Sequence, residues 1–169
     1  ARVACAGEVD GEVVDLRHVV DKDCELSILT FEDEGGKGAF RHTTSHIMAQ
    51  AIKRLYPETK LAIGPSIADG FYYDIDRETP LTSEDLEKIE AEMKKIVKED
   101  LKLERFELPR AEAIAFMKEK EEPYKVELIE DLPEDAVISF YRQGEFTDLC
   151  AGPHLMSTKP VKAFKLTSL

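Results

Sequence analysis

Two short segments carry most of the side chains in this sequence that could do chemistry. The segment RHTTSH contains His42 and His46, and the segment CAGPH contains Cys150 and His154. Three of the four histidines and one of the three cysteines lie in these segments. Neutral imidazole and thiol groups that converge from a rigid frame can bind a metal ion or activate a water molecule. Because the two segments are far apart in the sequence, only folding can bring these groups together.

Three kinds of site remain open on these residues. A metalloprotease is excluded, because no glutamate directly follows the first histidine of the helical pair. A zinc-stabilised module without turnover remains, since four nitrogen and sulfur donors fill a tetrahedron. A cleft that holds a catalytic water fits equally well, and Cys150 could instead be a nucleophile beside a histidine or a small buried residue. We expect Cys5 and Cys24 to be buried structural cysteines and His18 to lie at the surface.

Other polar and aromatic residues are weaker candidates. Lys125, in EPYKVELI, and Asp148, two residues before Cys150, could support a cleft. From the pattern alone we expect both to be surface charges, because buried Lys and Asp are rare. The aromatic run over residues 71–73 could stack on a nucleobase, but core packing on both sides of a hairpin is the favoured interpretation.

The first histidine pair is predicted to lie on a helix from Phe40 to Tyr56, which Pro57 ends. At about 100° per residue, His42 and His46 share one face of this helix, nearly opposite its apolar stripe. We therefore expect the imidazoles to lie outside the core that this stripe builds. The segment FTDLCAGPH is predicted to form a tight loop that carries the second pair, because it contains Gly and Pro.

The remaining pattern predicts an α+β fold, mainly an antiparallel sheet packed with helices. Residues 2–31 are predicted to form short strands around an Asp10-Gly11 turn. Further predicted elements are a hairpin over 61–76, a long helix that opens with a capping box at Thr82, a strand over 101–108, helices from Pro109 and over 123–129, and strands over 136–142 and 162–169. The polar stretch DEGGKG, residues 33–38, is predicted to be a flexible joint between a partial β-rich segment, 1–33, and a main domain, 39–169.

Composition limits the classes of function. With 169 residues and 43% hydrophobic side chains, the chain is typical of a globular protein with one main core. The net charge of −12 opposes nonspecific attraction to nucleic acid or anionic lipid. Three scattered cysteines and the lack of a long apolar run favour a cytoplasmic protein without a membrane span or a signal peptide. The first residue, Ala, and the strand-like end suggest a fragment of a larger protein.

Four segments, in this order, closely resemble the editing domain of threonyl-tRNA synthetases, which is related to that of alanyl-tRNA synthetases. They are RHTTSHIMAQAIKRLYP, KLAIGPSIADGFYYDID, EPYKVELI and FTDLCAGPH. The resemblance covers about residues 39–169, and residues 1–33 resemble the end of the ubiquitin-like β-grasp domain that precedes it in this family.

This resemblance implies hydrolysis of serine that has been mischarged onto threonine tRNA. A synthetic pocket that recognises threonine through its hydroxyl cannot strongly exclude serine, so a second, smaller site is needed. The resemblance places six residues in the deacylation cleft: His42, His46, Lys125, Asp148, Cys150 and His154. It implies that water attacks the seryl ester, that Lys125 stabilises the developing negative charge and that the terminal ribose hydroxyl assists, with no covalent intermediate.

The resemblance also sets expectations about cofactors and partners. No cofactor is expected to be required, although zinc at the four His and Cys donors stays open because similar donors bind zinc in alanyl editing domains. ATP, Mg and another zinc are expected only in an aminoacylation domain absent from this sequence, where the parent enzyme ligates threonine to its tRNA. The expected partner is the 3′ end of threonine tRNA, with no DNA or membrane, and the parent enzyme is expected to be a homodimer.

Overall fold

The computed structural model describes residues 4–169, which form an α+β fold of antiparallel sheets and four helices. In chain order the elements are β1 (Ala4–Val9), β2 (Glu12–Val14), β3 (Leu26–Thr30), α1 (Glu34–Leu55), β4 (Lys60–Leu61), β5 (Ser66–Ile67), β6 (Gly70–Phe71), β7 (Ile75–Asp76), α2 (Ser83–Glu99), β8 (Leu103–Glu107), α3 (Arg110–Glu119), α4 (Pro123–Asp131), β9 (Ser139–Gln143) and β10 (Phe146–Leu149). The predicted fold class is confirmed. Among these helices none has the length and hydropathy needed to cross a membrane.

The N-terminal strands form a sheet in the order β2-β1-β3. Asp10 and Gly11 join β1 to β2 with φ values of 49° and 84°, the left-handed backbone that a two-residue hairpin turn requires. The predicted strands and turn are therefore confirmed, except that residues 1–3 lie outside the described part. The division into segments 1–33 and 39–169 stays a prediction.

Helix α1 begins at Glu34, inside the stretch predicted to be a flexible joint. The prediction was wrong because its glycines serve close packing. A Cβ atom on Gly36 would lie 1.9 Å from the carbonyl oxygen of Thr30, and one on Gly35 would lie 2.7 Å from the Leu29 side chain. Glycine thus lets the first turn of α1 pack directly against β3.

Helix α1 is buried between two apolar clusters. One cluster joins it to α2, β1 and β3, and a second forms where Ala49 meets Leu61 and Phe146. Small residues such as Thr43, Thr44 and Ser45 are buried on the helix as well. The expectation that both imidazoles lie outside the core was therefore wrong for His46, which is 2% exposed.

Helix α2 and the C-terminal segment pack on the first cluster. Thr82 and Asp85 form the predicted capping box at the start of α2. Residues 162–169 form no strand, contrary to the prediction. They lie along α2 instead, where the Leu166 backbone N–H donates to Glu90 Oε1 at 2.6 Å and Phe164 packs on the core.

The second half of the chain builds the sheet β10-β9-β8, with α3 and α4 packed on it. The predicted hairpin over 61–76 is confirmed by the pairs β4-β7 and β5-β6. Strand β10 takes up the first part of FTDLCAGPH, so only the segment that follows it is a loop. We call residues 150–155 the site turn.

We predict that alanine has opposite effects at two glycines of α1. Gly36→Ala should lower the free energy of unfolding by about 1–3 kcal/mol, because its Cβ would overlap the Thr30 backbone. Gly38→Ala should raise it by about 0.5–1 kcal/mol, since nothing lies within 4 Å of its Cβ position and alanine favours helix. Urea denaturation measures both values, and equal effects of the two substitutions would contradict the packing described here.

Candidate functional site

The two histidine-containing segments meet in the folded chain. His42 and His46 lie one turn apart on α1, and Cys150 and His154 project from the site turn. Their potential ligand atoms all lie within 4.8 Å of one another. We call these residues the four-donor cluster. The structure therefore brings together all four side chains that the sequence singled out first.

Cys150 lies at the centre of the four-donor cluster. Its Sγ atom is 3.3 Å from Nε2 of His42 and 3.1 Å from Nε2 of His154. The Gly152 backbone N–H donates to the same sulfur at 3.2 Å. Gly152 adopts a φ of +79°, and a Cβ there would lie 2.3 Å from the hydroxyl of Tyr141. The site turn thus needs glycine at this position to hold the sulfur in place.

A second polar group borders the four-donor cluster. Nζ of Lys125 lies 2.9 Å from Oδ1 of Asp148, and both side chains are less than 5% exposed. Lys125 also donates to the hydroxyl of Tyr73 at 2.8 Å, and that hydroxyl donates to Oδ2 of Asp148. We call Tyr73, Lys125 and Asp148 the Lys125 triad. Oδ2 of Asp148 lies 3.5 Å from Nε2 of His46, so the triad and the cluster are in contact.

Local sequence explains how the triad is buried. Pro123 occupies the first turn of α4, where it needs no N–H partner, and places Lys125 near the start of this helix. Strand β10 alternates, so that Phe146 and Asp148 both face inward. The expectation from pattern that Lys125 and Asp148 are surface charges was therefore wrong, because each provides the buried countercharge of the other.

The imidazoles are held in their neutral form. Burial lowers the pKa of His46 to about 3, although Asp148 opposes the shift. Burial also lowers the pKa of His154 well below its usual value, and the other two rings lower it further. The pKa of His42 is lowered mainly by burial. Neutral rings at pH 7 have lone pairs that can bind a cation or accept a hydrogen bond from water.

The acidic groups of the site have shifted pKa values as well. Burial alone would raise the pKa of Asp148, but Lys125 and His46, with hydrogen bonds from Tyr73 and Lys125, lower it. Burial raises the pKa of the Cys150 thiol to about 12. The thiol is therefore protonated at neutral pH when no cation is bound, which does not favour Cys150 as a nucleophile.

The four-donor cluster fits a zinc ion by its donor chemistry. Tetrahedral sites with one Cys and three His have donor atoms about 3.5 Å apart, similar to the two sulfur–nitrogen distances here. Nδ1 of His46 is buried and has no hydrogen-bond partner, while its Nε2 faces Asp148. A carboxylate beside the other ring nitrogen is typical of histidine ligands. The residues present are thus compatible with zinc.

The cluster and the triad differ in their access to solvent. His42 and Cys150 are partly exposed, whereas His46 and His154 are buried. Lys125 and Asp148 line a cavity of about 270 Å³ together with Phe146 and Thr147. A larger groove of about 1000 Å³ is bordered by Tyr73 and the C-terminal segment.

The other candidates lie elsewhere. Cys5 is buried as expected, Cys24 is only half-buried, and His18 is exposed. In the aromatic run, Phe71 packs on the core as expected, but Tyr72 is 41% exposed. No cysteine in the described part forms a disulfide bond.

Sequence reasoning missed three residues that contact the site. Tyr73 was assigned to the core, although its place in a segment shared with the family was a usable signal. Thr43 contacts Nδ1 of His154 at 2.9 Å, and its position inside RHTTSH was the only signal for it. Asp15 accepts a hydrogen bond from the backbone N–H of His154, and nothing in the sequence pattern pointed to it.

Comparisons with known proteins show which sequences this chain resembles. Residues 138–169 match the family described as the threonyl and alanyl tRNA synthetase second additional domain. The whole chain is 70% identical to part of a threonine–tRNA ligase of Acetivibrio thermocellus and 69% identical to part of one of Clostridioides difficile, covering 27% and 26% of these relatives. A threonine–tRNA ligase of Clostridium kluyveri is 65% identical over the same 169 residues. The chain thus spans about a quarter of the length of the relatives it matches.

We predict that Lys125→Met strongly destabilises the chain. Removing the cation leaves the Asp148 carboxylate buried without its charge partner, which should cost about 3–5 kcal/mol at pH 7 by urea denaturation. The pKa of Asp148 is lower in the folded chain than in the unfolded chain, where it is near 3.9. In the wild type the carboxylate therefore stabilises the fold above the unfolded-state pKa, and this stabilisation is lost as the pH falls through the folded-state pKa. The cost of the substitution should therefore shrink in acid.

The double variant Lys125→Met with Asp148→Leu is the control for this prediction. It removes both charges, so its loss of stability should be smaller than that of Lys125→Met alone. A single variant that loses less than about 1 kcal/mol would contradict the buried ion pair.

Proposed function

The chain is homologous over its whole length to part of threonyl-tRNA synthetase, and from this premise we propose that it hydrolyses serine esterified to the 3′ end of threonine tRNA. The proposal depends on one observation above all. A buried lysine, held by Asp148 and Tyr73, lines a cavity that reaches solvent, and Asp148 also lies 3.5 Å from His46 of the four-donor cluster. This arrangement suits hydrolysis of an ester by water, because water must lose a proton while negative charge develops on the carbonyl oxygen.

The chain's own residues account for the two main requirements of the reaction. A neutral imidazole of the four-donor cluster accepts a hydrogen bond from the attacking water and holds it in line with the ester. The ammonium group of Lys125 donates to the oxygen on which negative charge develops. Asp148 and Tyr73 fix the position of this ammonium, so little reorganisation is needed during the reaction.

No enzyme-bound ester intermediate is required by this mechanism. The Cys150 thiol has a pKa of about 12 and is therefore a poor nucleophile at neutral pH. Its sulfur instead contacts Nε2 of His42 and Nε2 of His154, whose rings stack on each other at 4.2 Å. The proton that the attacking water loses passes through the adjacent ribose hydroxyl to the leaving ribose oxygen, so that the ester bond breaks to give free serine and the tRNA hydroxyl.

Selection of serine over threonine rests on size, because both amino acids carry a hydroxyl group. A site that excludes the extra methyl group of threonine discriminates by about 1–3 kcal/mol. The acidic chain, with a net charge of −12, has little general attraction for RNA. We infer that other parts of a longer protein bind most of the tRNA, ligate threonine with ATP and form a homodimer, in the cytoplasm.

We predict that three substitutions lower the rate of seryl-tRNA hydrolysis. Lys125→Ala should reduce kcat by about 100- to 1000-fold, because it removes the donor to the developing charge. His42→Ala should reduce it by about 100-fold or more, since a water-binding base is lost. Cys150→Ala should have a smaller effect of about 10-fold, as it only loosens the ring packing. Single-turnover deacylation of labelled seryl-tRNA measures these rates.

The control for these variants is Lys118→Ala, which removes an exposed lysine of α3 away from the cavity. It should hydrolyse seryl-tRNA at the wild-type rate. Folding of each variant is checked by circular dichroism, so that loss of structure is not mistaken for loss of chemistry. Wild-type activity in Lys125→Ala would contradict the proposed role of this residue.

A second candidate function is a zinc-stabilised binding module without turnover. The partnerless Nδ1 of His46 and the tight four-donor cluster favour it. When bound, zinc would be held by His42, His46, Cys150 and His154 and would supply structural cohesion or polarise a bound water.

Metal removal separates the two functions. We predict that treatment with a chelator leaves seryl-tRNA hydrolysis unchanged, because Lys125 and the neutral imidazoles do not require an ion. Elemental analysis and the melting temperature are measured on the same samples. Stoichiometric zinc, whose removal lowers the melting temperature in a chain that does not hydrolyse seryl-tRNA, would favour the binding module instead.

A further inference from the structure

An aspartate of the N-terminal segment contacts the site turn directly. Asp15 lies between β2 and β3, in the part of the chain predicted to be a separate β-rich unit. Its Oδ2 atom accepts hydrogen bonds from the backbone N–H of His154 at 3.0 Å and from the hydroxyl of Tyr141 at 2.7 Å. One carboxylate oxygen thus joins the site turn to strand β9.

Arg17 completes this connection. Its backbone N–H and its guanidinium group donate to Oδ1 of Asp15 at 2.9 and 2.8 Å. The same guanidinium donates to the carbonyl oxygens of Leu103 at 2.6 Å and Leu155 at 3.1 Å. Both side chains are mostly buried, with 12% of Asp15 and 18% of Arg17 exposed. Each charge is therefore balanced by the other and by groups on the site turn.

We propose that Asp15 is a positioning residue for ester hydrolysis, one that acts through the site turn without contacting the substrate. This inference rests on the proposed function. The carboxylate fixes the backbone of His154, and the imidazole of that residue lies 3.1 Å from the Cys150 sulfur. The position of the four-donor cluster therefore depends on a residue outside the main domain predicted from the sequence.

The opposite side of His154 supports the same conclusion. Thr43 on α1 accepts a hydrogen bond from the Leu155 backbone N–H at 3.0 Å and contacts Nδ1 of the ring at 2.9 Å. The site turn is thus held by α1 on one side and by Asp15 on the other. When the second attachment is removed, the turn can move relative to His42 and His46, and a displacement near 1 Å is enough to slow a reaction about 100-fold.

Asparagine at position 15 tests the role of the carboxylate. An amide has a single acceptor oxygen. The asparagine in Asp15→Asn can therefore accept hydrogen bonds either from Arg17 or from the His154 N–H and the Tyr141 hydroxyl, but not from both sides. The matched control is Asp23→Asn, which neutralises an exposed aspartate of the same segment and leaves the net charge equal to that of the test variant. Tyr141→Phe removes one of the two donors and keeps the ring that packs on His154 at 4.4 Å.

The experiment measures two quantities on the 169-residue chain. The first is kcat and KM for seryl-tRNA hydrolysis, at a temperature at which circular dichroism reports every variant fully folded. The second is the hydrogen-exchange rate of the His154 amide, measured by NMR. We expect Asp15→Asn to lower kcat about 10- to 100-fold with KM changed less than about twofold, and Tyr141→Phe to have a smaller effect in the same direction. The His154 amide should exchange at least about 10-fold faster in Asp15→Asn, and Asp23→Asn should match the wild type in both measurements.

The outcomes separate this inference from the proposed function. An active wild type with an equally active Asp15→Asn variant would overturn the positioning role alone. An unchanged exchange rate at His154 would overturn it too, whatever the activity. A rise in KM with kcat unchanged would also overturn it, because it would place Asp15 in tRNA binding.

If Asp15→Asn does not fold, an unaltered kcat and His154 exchange rate in Tyr141→Phe would overturn the role. A wild type without hydrolysis would overturn the proposed function and, with it, the positioning role, even where exchange at His154 still depends on Asp15.

Discussion

The buried ion pair between Lys125 and Asp148 is the interaction that the site depends on. Moving two charges out of water costs several kcal/mol for each ion, and only close contact with further hydrogen bonds offsets that cost. Here the ammonium and carboxylate groups are 2.9 Å apart, and Tyr73 accepts from one and donates to the other. Because the pair comes from α4 and β10, these two elements must keep their positions relative to the hairpin that carries Tyr73.

The same constraint explains why α1 is buried on nearly all sides. His46 has to lie beside Asp148 while the apolar residues of α1 pack on α2 and the N-terminal sheet. Small side chains and the close approach at Gly36 make both contacts possible. The neutral imidazoles are a consequence of this burial, since desolvation disfavours their charged form. The burial of α1 therefore accounts both for the packing around the site and for the neutral form of its imidazoles.

Much of the site could be predicted from the sequence, because the spacing of the histidines and the resemblance of four segments are local features. The burial of Lys125 and Asp148 could not be predicted. The usual exposure of Lys and Asp is an average for each residue type, whereas here each charge is buried because its partner comes from an element far away in the sequence. Gly35 and Gly36 were predicted to lie in a flexible joint. Glycine occurs both in flexible segments and where two backbones pack closely, and the sequence alone does not distinguish these two cases. Residues 162–169 have the pattern of a strand, but the Leu166 backbone N–H donates to the Glu90 side chain of α2. Asp15 gave no signal, because its contacts with the site are made with the His154 backbone and with Tyr141, both far away in the sequence.

The most direct test of this account is a comparison of two substrates on the same chain. Threonine tRNA is charged with either serine or threonine, and hydrolysis of each ester by the 169-residue chain is followed under single-turnover conditions. The account predicts that the seryl ester is hydrolysed well above the spontaneous rate and at least about 10-fold faster than the threonyl ester. Equal rates for the two esters, or no rate above the spontaneous one at saturating chain, would contradict it.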